Sequence, residues 1–177
     1  MPDEAAAVTA GRRHQEKLLA VAFDFGLKRI GVACGGTVSG TATPLAGICV
    51  GATGPRWEAI DSLMREWQPT VLVVGMPYHV DGSESRAAAR ARSFAAELRR
   101  RYALPVELID ERYSSLEAEA RLKHERESGL RRRRVAKADV DAASACVILE
   151  RWLQHLGEHR TSEHSARASD QNLDELK

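Results

Sequence analysis

The order in which apolar periodicities follow one another constrains the fold of this chain most strongly. Three short apolar runs separated by glycines come first, at Leu18–Phe23, Ile30–Cys34 and Pro44–Val50. They predict an antiparallel meander, because glycine permits the tight turns that join adjacent strands. Strands at Val71–Val74 and Val106–Ile109 follow, each preceded by a helical pattern, so right-handed crossovers should place them parallel to the first strand. The sequence therefore predicts an α/β fold with a mixed five-stranded sheet flanked by helices.

Apolar residues at helical spacing predict four helices around these strands. Pro55 suits the first turn of the first helix, because a proline there loses no hydrogen bond. Ser83 is the predicted N-cap of the second helix, which is rich in arginine. A short third helix follows Ser114, and the last one spans Val140–Leu156. That last helix should lie across the sheet, because it is apolar on most of its faces.

The two ends of the chain lack apolar periodicity. Residues 1–17 mix alanine, glycine and charged residues, and residues 157–177 contain no aromatic side chain. Because such segments bury too little surface to offset the entropy lost on ordering, we predict flexible tails at 1–17 and 157–177 around one folded domain at 18–156. No apolar run approaches the roughly 20 residues that span a bilayer, so a cytoplasmic protein without a membrane partner is expected.

The three cysteines are Cys34, Cys49 and Cys146. They form neither a Cys-x-x-Cys pair nor a zinc-like pattern with the histidines, and their number is odd. These features argue against both a disulfide framework and a zinc site. We therefore expect buried, reduced thiols.

Acidic residues stand where two predicted strands end. Asp24 follows the first strand and precedes Gly26, a pattern that suits either a metal or phosphate site or a simple hairpin turn. Asp110 and Glu111 close the fifth strand, and because side chains alternate along a strand, only one of them can face Asp24. An ion pair with Arg112 that caps the strand is the alternative at this position.

A further carboxylate stands at the start of the last predicted helix. Asp139 and Asp141 point in directions about 200° apart, so only one of them can face the sheet. Asp141 shares the apolar face with Ala145, Ile148 and Trp152, whereas Asp139 suits an N-cap or first-turn role. Three carboxylates converging on one edge would repel one another unless a divalent cation lay between them. Oxygen ligands suit Mg²⁺ or Mn²⁺, ions that activate water for phosphodiester cleavage.

Charge is distributed unevenly along the chain. The formal net charge of +1 argues against a strongly basic nucleic-acid binder. The segment Arg86–Lys137, however, holds 15 Lys and Arg against 8 Asp and Glu, a local charge of +7. This excess favours a polyanionic substrate. The segment includes four consecutive arginines that either track a phosphate backbone or form a solvated run in a loop, namely Arg131, Arg132, Arg133 and Arg134.

Four ordered segments carry a family signal. They are Ala22-Phe-Asp-Phe-Gly-Leu-Lys-Arg-Ile-Gly-Val-Ala33, Val74-Gly-Met-Pro77 with Asp81-Gly82, Asp110-Glu-Arg-Tyr-Ser-Ser115 and Lys137-Ala-Asp-Val-Asp-Ala-Ala-Ser-Ala145. Together they resemble the YqgF/RuvX family, whose members are described as Holliday-junction-resolvase-like proteins and as nucleases of pre-16S ribosomal RNA. The sequence departs from the family pattern at His79, where asparagine is usual, and in the length of its arginine run.

The resemblance implies a ribonuclease H-like fold and a phosphodiesterase that depends on Mg²⁺ or Mn²⁺ and trims the 5′ end of pre-16S rRNA during ribosome maturation. It implies Asp24, Glu111 and Asp141 as the catalytic and metal-binding acids, with Glu111 preferred to Asp110. It also places several basic residues near the substrate phosphates, namely Lys28, Arg29, Arg90, Arg112 and Lys137.

The resemblance leaves the partners and the activity open at several points. The partners that it implies are pre-16S rRNA, the ribosome or branched DNA. The protein could act as a monomer or as a homodimer. A non-catalytic factor that binds RNA or the ribosome on the same fold is the main alternative, because a fold does not determine an activity.

Overall fold

The computed structural model describes residues 17–77, 85–110, 114–128 and 136–174. These residues form six strands and four helices. The strands are β1 (Leu19–Phe25), β2 (Arg29–Gly36), β3 (Ala42–Gly51), β4 (Gly54–Pro55), β5 (Val71–Met76) and β6 (Val106–Asp110). The helices are α1 (Trp57–Trp67), α2 (Arg86–Tyr102), α3 (Ser114–Glu127) and α4 (Lys137–Asp174).

The strands form one sheet in the order β4-β3-β2-β1-β5-β6. The pairs β1–β2 and β2–β3 are antiparallel, whereas β1–β5 and β5–β6 are parallel. This mixed sheet confirms the predicted ribonuclease H-like fold, with an antiparallel meander followed by two strands that return through helical crossovers.

The sheet has one strand more than the sequence predicted. The additional strand, β4, pairs only Gly54 and Pro55 with the end of β3. Two residues are too few to leave a periodic apolar pattern, so nothing in the sequence marks this strand. Pro55 therefore lies in β4, and the prediction that it occupies the first turn of α1 was wrong, because α1 begins at Trp57.

The two faces of the sheet pack against different helices. Along β1, Val21 and Phe23 contribute to the core on the side of α1 and α2. Ala20 and Ala22 point to the opposite face and pack against α4. Because side chains alternate along a strand, successive residues of β1 face opposite sides of the sheet.

The N-cap of helix α2 lies two residues after the predicted one, Ser83. Its N-cap is Ser85, whose hydroxyl accepts a hydrogen bond from the Ala88 amide at 3.0 Å. The same hydroxyl donates to the Pro77 carbonyl at 2.8 Å, which ties the start of α2 to the end of β5. Serine is a good cap at either position, so this tertiary contact distinguishes the two.

Helix α4 continues to Asp174 and does not end at Leu156 as predicted. The apolar stripe of a helix shows how far it packs against the core, whereas its backbone hydrogen bonds can continue beyond that point. The flexibility of residues 157–177 stays a prediction. Although α4 has 38 residues, neither it nor another helix of the described part is long and apolar enough to cross a membrane.

The three cysteines differ in exposure, which corrects the expectation that all are buried. Cys34 and Cys146 are buried, but Cys49 is exposed on β3, which has one face open to solvent. Burial raises the pKa of the Cys146 thiol to about 12 and also raises the pKa of Cys34. A thiol reacts as its thiolate, so burial and a raised pKa both protect these two residues.

We therefore expect one thiol per folded chain to react rapidly with a disulfide reagent such as DTNB at about pH 8. The substitution Cys49→Ser should remove this fast phase, and the other two thiols should react only after unfolding in denaturant. A fast phase of two or three thiols in the native protein would contradict the described packing of Cys34 or Cys146.

Candidate active site

Two of the predicted acids lie on adjoining elements at one end of the sheet. Asp24 is the penultimate residue of β1 and has the same strand parity as Ala22, which faces α4. Its partner across the β1–β2 ladder is Gly31. A Cβ atom at Gly31 would lie 1.9 Å from the backbone carbonyl oxygen of Asp141. The first turns of α4 therefore lie directly on β2, beside Asp24.

Small residues on one face of β2 permit this close approach. Gly31, Ala33 and Gly35 alternate with Ile30, Val32 and Cys34, which fill the core on the other face. At Gly35 a Cβ atom would lie 3.2 Å from a side-chain carbon of Leu149, so α4 stays close to β2 along this stretch. Glycine is the residue that allows two backbones to approach so closely.

The two carboxylate oxygens of Asp141 have few partners among the described residues. Its side chain is 16% exposed, and Oδ1 lies 3.8 Å from Nζ of Lys137, a long ion pair with a lysine that is itself 81% exposed. Oδ2 is buried and makes no hydrogen bond within the described part of the chain. A buried carboxylate oxygen without a partner is unfavourable unless a cation or a donor approaches it. The donor chemistry therefore suits a divalent cation.

Ser144 is a polar residue of this region that the sequence analysis missed. It is fully buried on α4, one turn after Asp141, and its hydroxyl has no hydrogen-bond partner among the described residues. The available signal was a serine three positions after Asp141. The first turns of α4 therefore carry two buried oxygen atoms, Oδ2 of Asp141 and Oγ of Ser144, that make no hydrogen bond within the described residues.

Asp139 has the local role that its position predicts. It lies in the first turn of α4, and its Oδ2 accepts a hydrogen bond from the Ala136 amide at 2.8 Å. An acid in the first turn stabilises a helix both by satisfying a free N–H and by its charge near the positive end of the helix dipole.

Several predicted site residues lie outside the described residues. They are Glu111, Arg112, Arg131, Arg132, Arg133 and Arg134, and His79, where the sequence departs from the family pattern, also lies there. The described chain stops just before Glu111, at Asp110, whose carbonyl accepts a hydrogen bond from Arg151 of α4 at 3.1 Å. Within the described ranges, no three His, Cys, Asp or Glu residues lie close enough together to hold a metal ion. The structure thus places Asp24 and Asp141 on adjoining elements, and their joint role with the third acid stays a prediction.

The turn between β1 and β2 presents two exposed cations beside Asp24. The Gly26 amide donates to the Arg29 carbonyl at 2.9 Å, and the Val50 amide of β3 donates to the Lys28 carbonyl at 2.9 Å. The side chains of Lys28 and Arg29 are exposed. The sequence after Asp24 therefore does form a hairpin turn. A hairpin turn and a metal ligand at Asp24 are compatible, because the hydrogen bonds of the turn use backbone groups of the residues that follow Asp24.

The arginines of α2 fall into two groups. Near its C-terminus Arg99 donates to the Val106 carbonyl, while Arg100 and Arg101 bind Glu97 at 2.6 and 2.7 Å. Hydrogen bonds from Arg100 and Arg101 lower the pKa of Glu97 to about 2. Arg90 lies in the first half of α2 and is exposed. The three arginines near the C-terminus of α2 are therefore held by hydrogen bonds within the protein, and Arg90 stays the predicted substrate contact of this helix.

Comparison with known proteins gives a consistent result. Residues 18–155 match the RuvX family, described as Holliday junction resolvase. A protein of Xanthomonas oryzae pv. oryzae named "Putative pre-16S rRNA nuclease" is 52% identical over 131 residues, which are 74% of this chain and 84% of that protein. A protein of the same name from Xanthomonas campestris pv. campestris is 53% identical over the same shares of each chain.

Among solved structures, RuvC of Thermus thermophilus aligns over 82% of this chain and 97% of that chain, with 14% identity and a TM-score of 0.45. The family match covers most of the chain, and the named relatives share about half of the aligned residues. This chain therefore belongs to the RuvX family.

Proposed function

We propose that this protein is a metal-dependent endonuclease that processes the 5′ end of pre-16S rRNA in the cytoplasm. The class of reaction, hydrolysis of phosphodiester bonds, follows from its family. The observation that carries the proposal is the buried Oδ2 of Asp141, which has no hydrogen-bond partner in the described chain and belongs to a helix that contacts β2 beside Asp24. Two carboxylates at one end of the sheet repel each other, and a divalent cation with oxygen ligands would offset that repulsion.

The proposed ligands are Asp24, Glu111 and Asp141, holding Mg²⁺ or Mn²⁺. A cation of this kind supplies an activated water and stabilises the charge on the phosphate oxygens. The choice of Glu111 over Asp110 is supported by strand alternation within β6, because Ile109 packs on the α4 face and Asp110 therefore lies on the face opposite to Asp24. The acids hold and orient the cation, and Ser144 lies in the first turns of the helix that carries Asp141.

Basic residues would bind the phosphates on both sides of the cut. Lys28 and Arg29 are exposed beside Asp24, and Lys137 is exposed at the start of α4, one turn before Asp141. We assign the same role to Arg90, Arg112 and the arginine run at 131–134. Such contacts position a polynucleotide without reading its sequence, so ribosomal proteins or rRNA structure would supply the specificity for the precursor.

The decisive test is a cleavage assay on a 5′-extended 16S rRNA fragment with Mg²⁺, Mn²⁺ or EDTA. We expect cuts upstream of the mature 5′ end with either metal and none with EDTA. A four-way DNA junction is the second substrate, because the family is described as Holliday junction resolvase. Cutting of the junction alone would make branched DNA the substrate. Binding of RNA without cleavage under either metal would leave a non-catalytic RNA-binding factor.

The exposed cations in the turn between β1 and β2 lead to a separate prediction about binding. The substitution Lys28→Ala should weaken binding of single-stranded RNA and reduce the slope of log Kd against log salt by about 0.7, because one phosphate contact is lost. Lys123→Ala is the matched control, since Lys123 is an exposed cation that lies on α3 and pairs with Glu127. Fluorescence titrations at several salt concentrations measure both slopes. Equal slopes for the two variants would show that Lys28 does not contact the RNA.

A further inference from the structure

Two large apolar side chains are exposed among the described residues, and they lie at opposite ends of β2. Leu27 is 60% exposed in the turn before β2, and Val38 is 73% exposed after it. The length of the strand separates them by about 25 Å. An isolated exposed leucine needs no explanation by itself. The position of Leu27 is informative because it lies three residues after Asp24 and directly before Lys28.

The backbone around Leu27 is held from two sides. The Gly26 amide donates to the Arg29 carbonyl at 2.9 Å, and a Cβ atom at Gly26 would lie only 2.5 Å from that oxygen. On the other side, the Lys28 carbonyl accepts a hydrogen bond from Val50 of β3. The turn is therefore tied both to its own hairpin and to the next strand. It presents Leu27 to solvent at the end of the sheet that carries Asp24.

An apolar side chain beside two cations and a carboxylate matches the chemistry of a nucleotide. The phosphates carry negative charge, whereas the faces of the bases are apolar. In a double helix the neighbouring bases cover these faces. They are accessible in a single strand or where a side chain separates two base steps, and leucine is among the residues that nucleic-acid-binding proteins use for this contact.

We infer that Leu27 packs against the face of an unpaired base next to the scissile phosphate, so that this protein acts on nucleic acid that is single-stranded at its cut site. This inference rests on the proposed nuclease function and narrows its substrate class. Lys28 and Arg29 then bind the adjacent phosphates, while Leu27 distinguishes an unpaired base from a stacked one. Val38 has Thr37 and Ser39 as its chain neighbours and lies away from the acids, so it has no such role.

The test compares the variants Leu27→Ala, Leu27→Met and Val38→Ala. The probe is an RNA oligonucleotide labelled with 2-aminopurine, used as a single strand and annealed to its complement, with Ca²⁺ in the buffer. We expect Leu27→Ala to weaken single-strand binding about fivefold and to leave duplex binding within about twofold. Leu27→Met should retain wild-type binding, and Val38→Ala should bind like the wild type. Because both residues are exposed, thermal unfolding of all three variants should match the wild type.

Equal single-strand binding by Leu27→Ala, Val38→Ala and the wild type would overturn the inference. Cleavage of the 5′-extended rRNA fragment separates this outcome from failure of the nuclease proposal. If the wild type cuts the fragment and Leu27→Ala cuts and binds as well as Val38→Ala, the nuclease stands and the base contact is wrong. If the wild type cuts nothing but Leu27→Ala still binds single-stranded RNA more weakly, the base contact is supported and the nuclease proposal is wrong.

Discussion

Replacing Asp24 with asparagine should reduce cleavage of the rRNA fragment by at least about a thousandfold, because a neutral amide is a poor ligand for a divalent cation and several kcal/mol of transition-state stabilisation depend on that ion. The substitution preserves the shape of the side chain, so the variant should still fold cooperatively. Single-turnover kinetics and urea denaturation measure the two effects.

Glu66→Gln is the matched control for this variant, because Glu66 is an exposed acid on α1. We expect it to cleave at the wild-type rate. Metal-dependent cleavage by Asp24→Asn at a rate near that of the control would contradict the assignment of Asp24 as a metal ligand. Loss of the cooperative unfolding transition in Asp24→Asn would instead show that the fall in cleavage comes from misfolding.

Gly31→Ala should be the most destabilising single methyl addition in the described part of the sheet. The new Cβ atom would lie 1.9 Å from the Asp141 carbonyl oxygen and 3.2 Å from the Ala142 amide nitrogen. Both are backbone atoms, so a side-chain rotation cannot relieve the clash and α4 must move away from β2. We expect a loss of about 3 kcal/mol in the free energy of unfolding. Because α4 carries Asp141, cleavage should also fall, by about a hundredfold.

Gly51→Ala provides the comparison, since Gly51 also lies in a strand but its added methyl group would meet its nearest neighbour, the Gly54 carbonyl oxygen, at 3.8 Å, an ordinary contact. Its free energy of unfolding should change by less than about 0.5 kcal/mol. Urea titrations of the two variants under one set of conditions suffice. Equal midpoints would mean that α4 does not rest on β2 at Gly31, and the adjacency of Asp24 and Asp141 would lose its main support.

Much of the fold was readable from the sequence because periodicity follows directly from the geometry of the elements. Strands β1, β2 and β3 each left an apolar run, and the helices before β5 and β6 made parallel pairing predictable. The short strand β4, the cap at Ser85 and the end of α4 were not readable. β4 is too short to leave an apolar pattern, the cap at Ser85 is selected by its hydrogen bond to Pro77, and the apolar stripe of α4 stops before its backbone does.

The candidate site divides in the same way. The positions of Asp24 and Asp141 in their elements were predictable, since one follows an apolar strand and the other begins an apolar helical stripe. Their meeting depends on Gly31, whose missing side chain lets two backbones touch. The burial of the Asp141 oxygen and of Ser144 also appears only when α4 lies on the sheet.

The sequence by itself determined which residues could serve a phosphodiesterase, because residue type and strand or helix parity are local properties. Only the tertiary structure decided which of these residues meet. It placed Asp141 beside the strand pair of Asp24 through the close approach at Gly31, held the arginines near the C-terminus of α2 in hydrogen bonds within the protein, and left Leu27, Lys28 and Arg29 facing solvent. Packing selects among contacts that the local pattern permits, since a backbone approach or a buried unpaired oxygen is a property of two segments together.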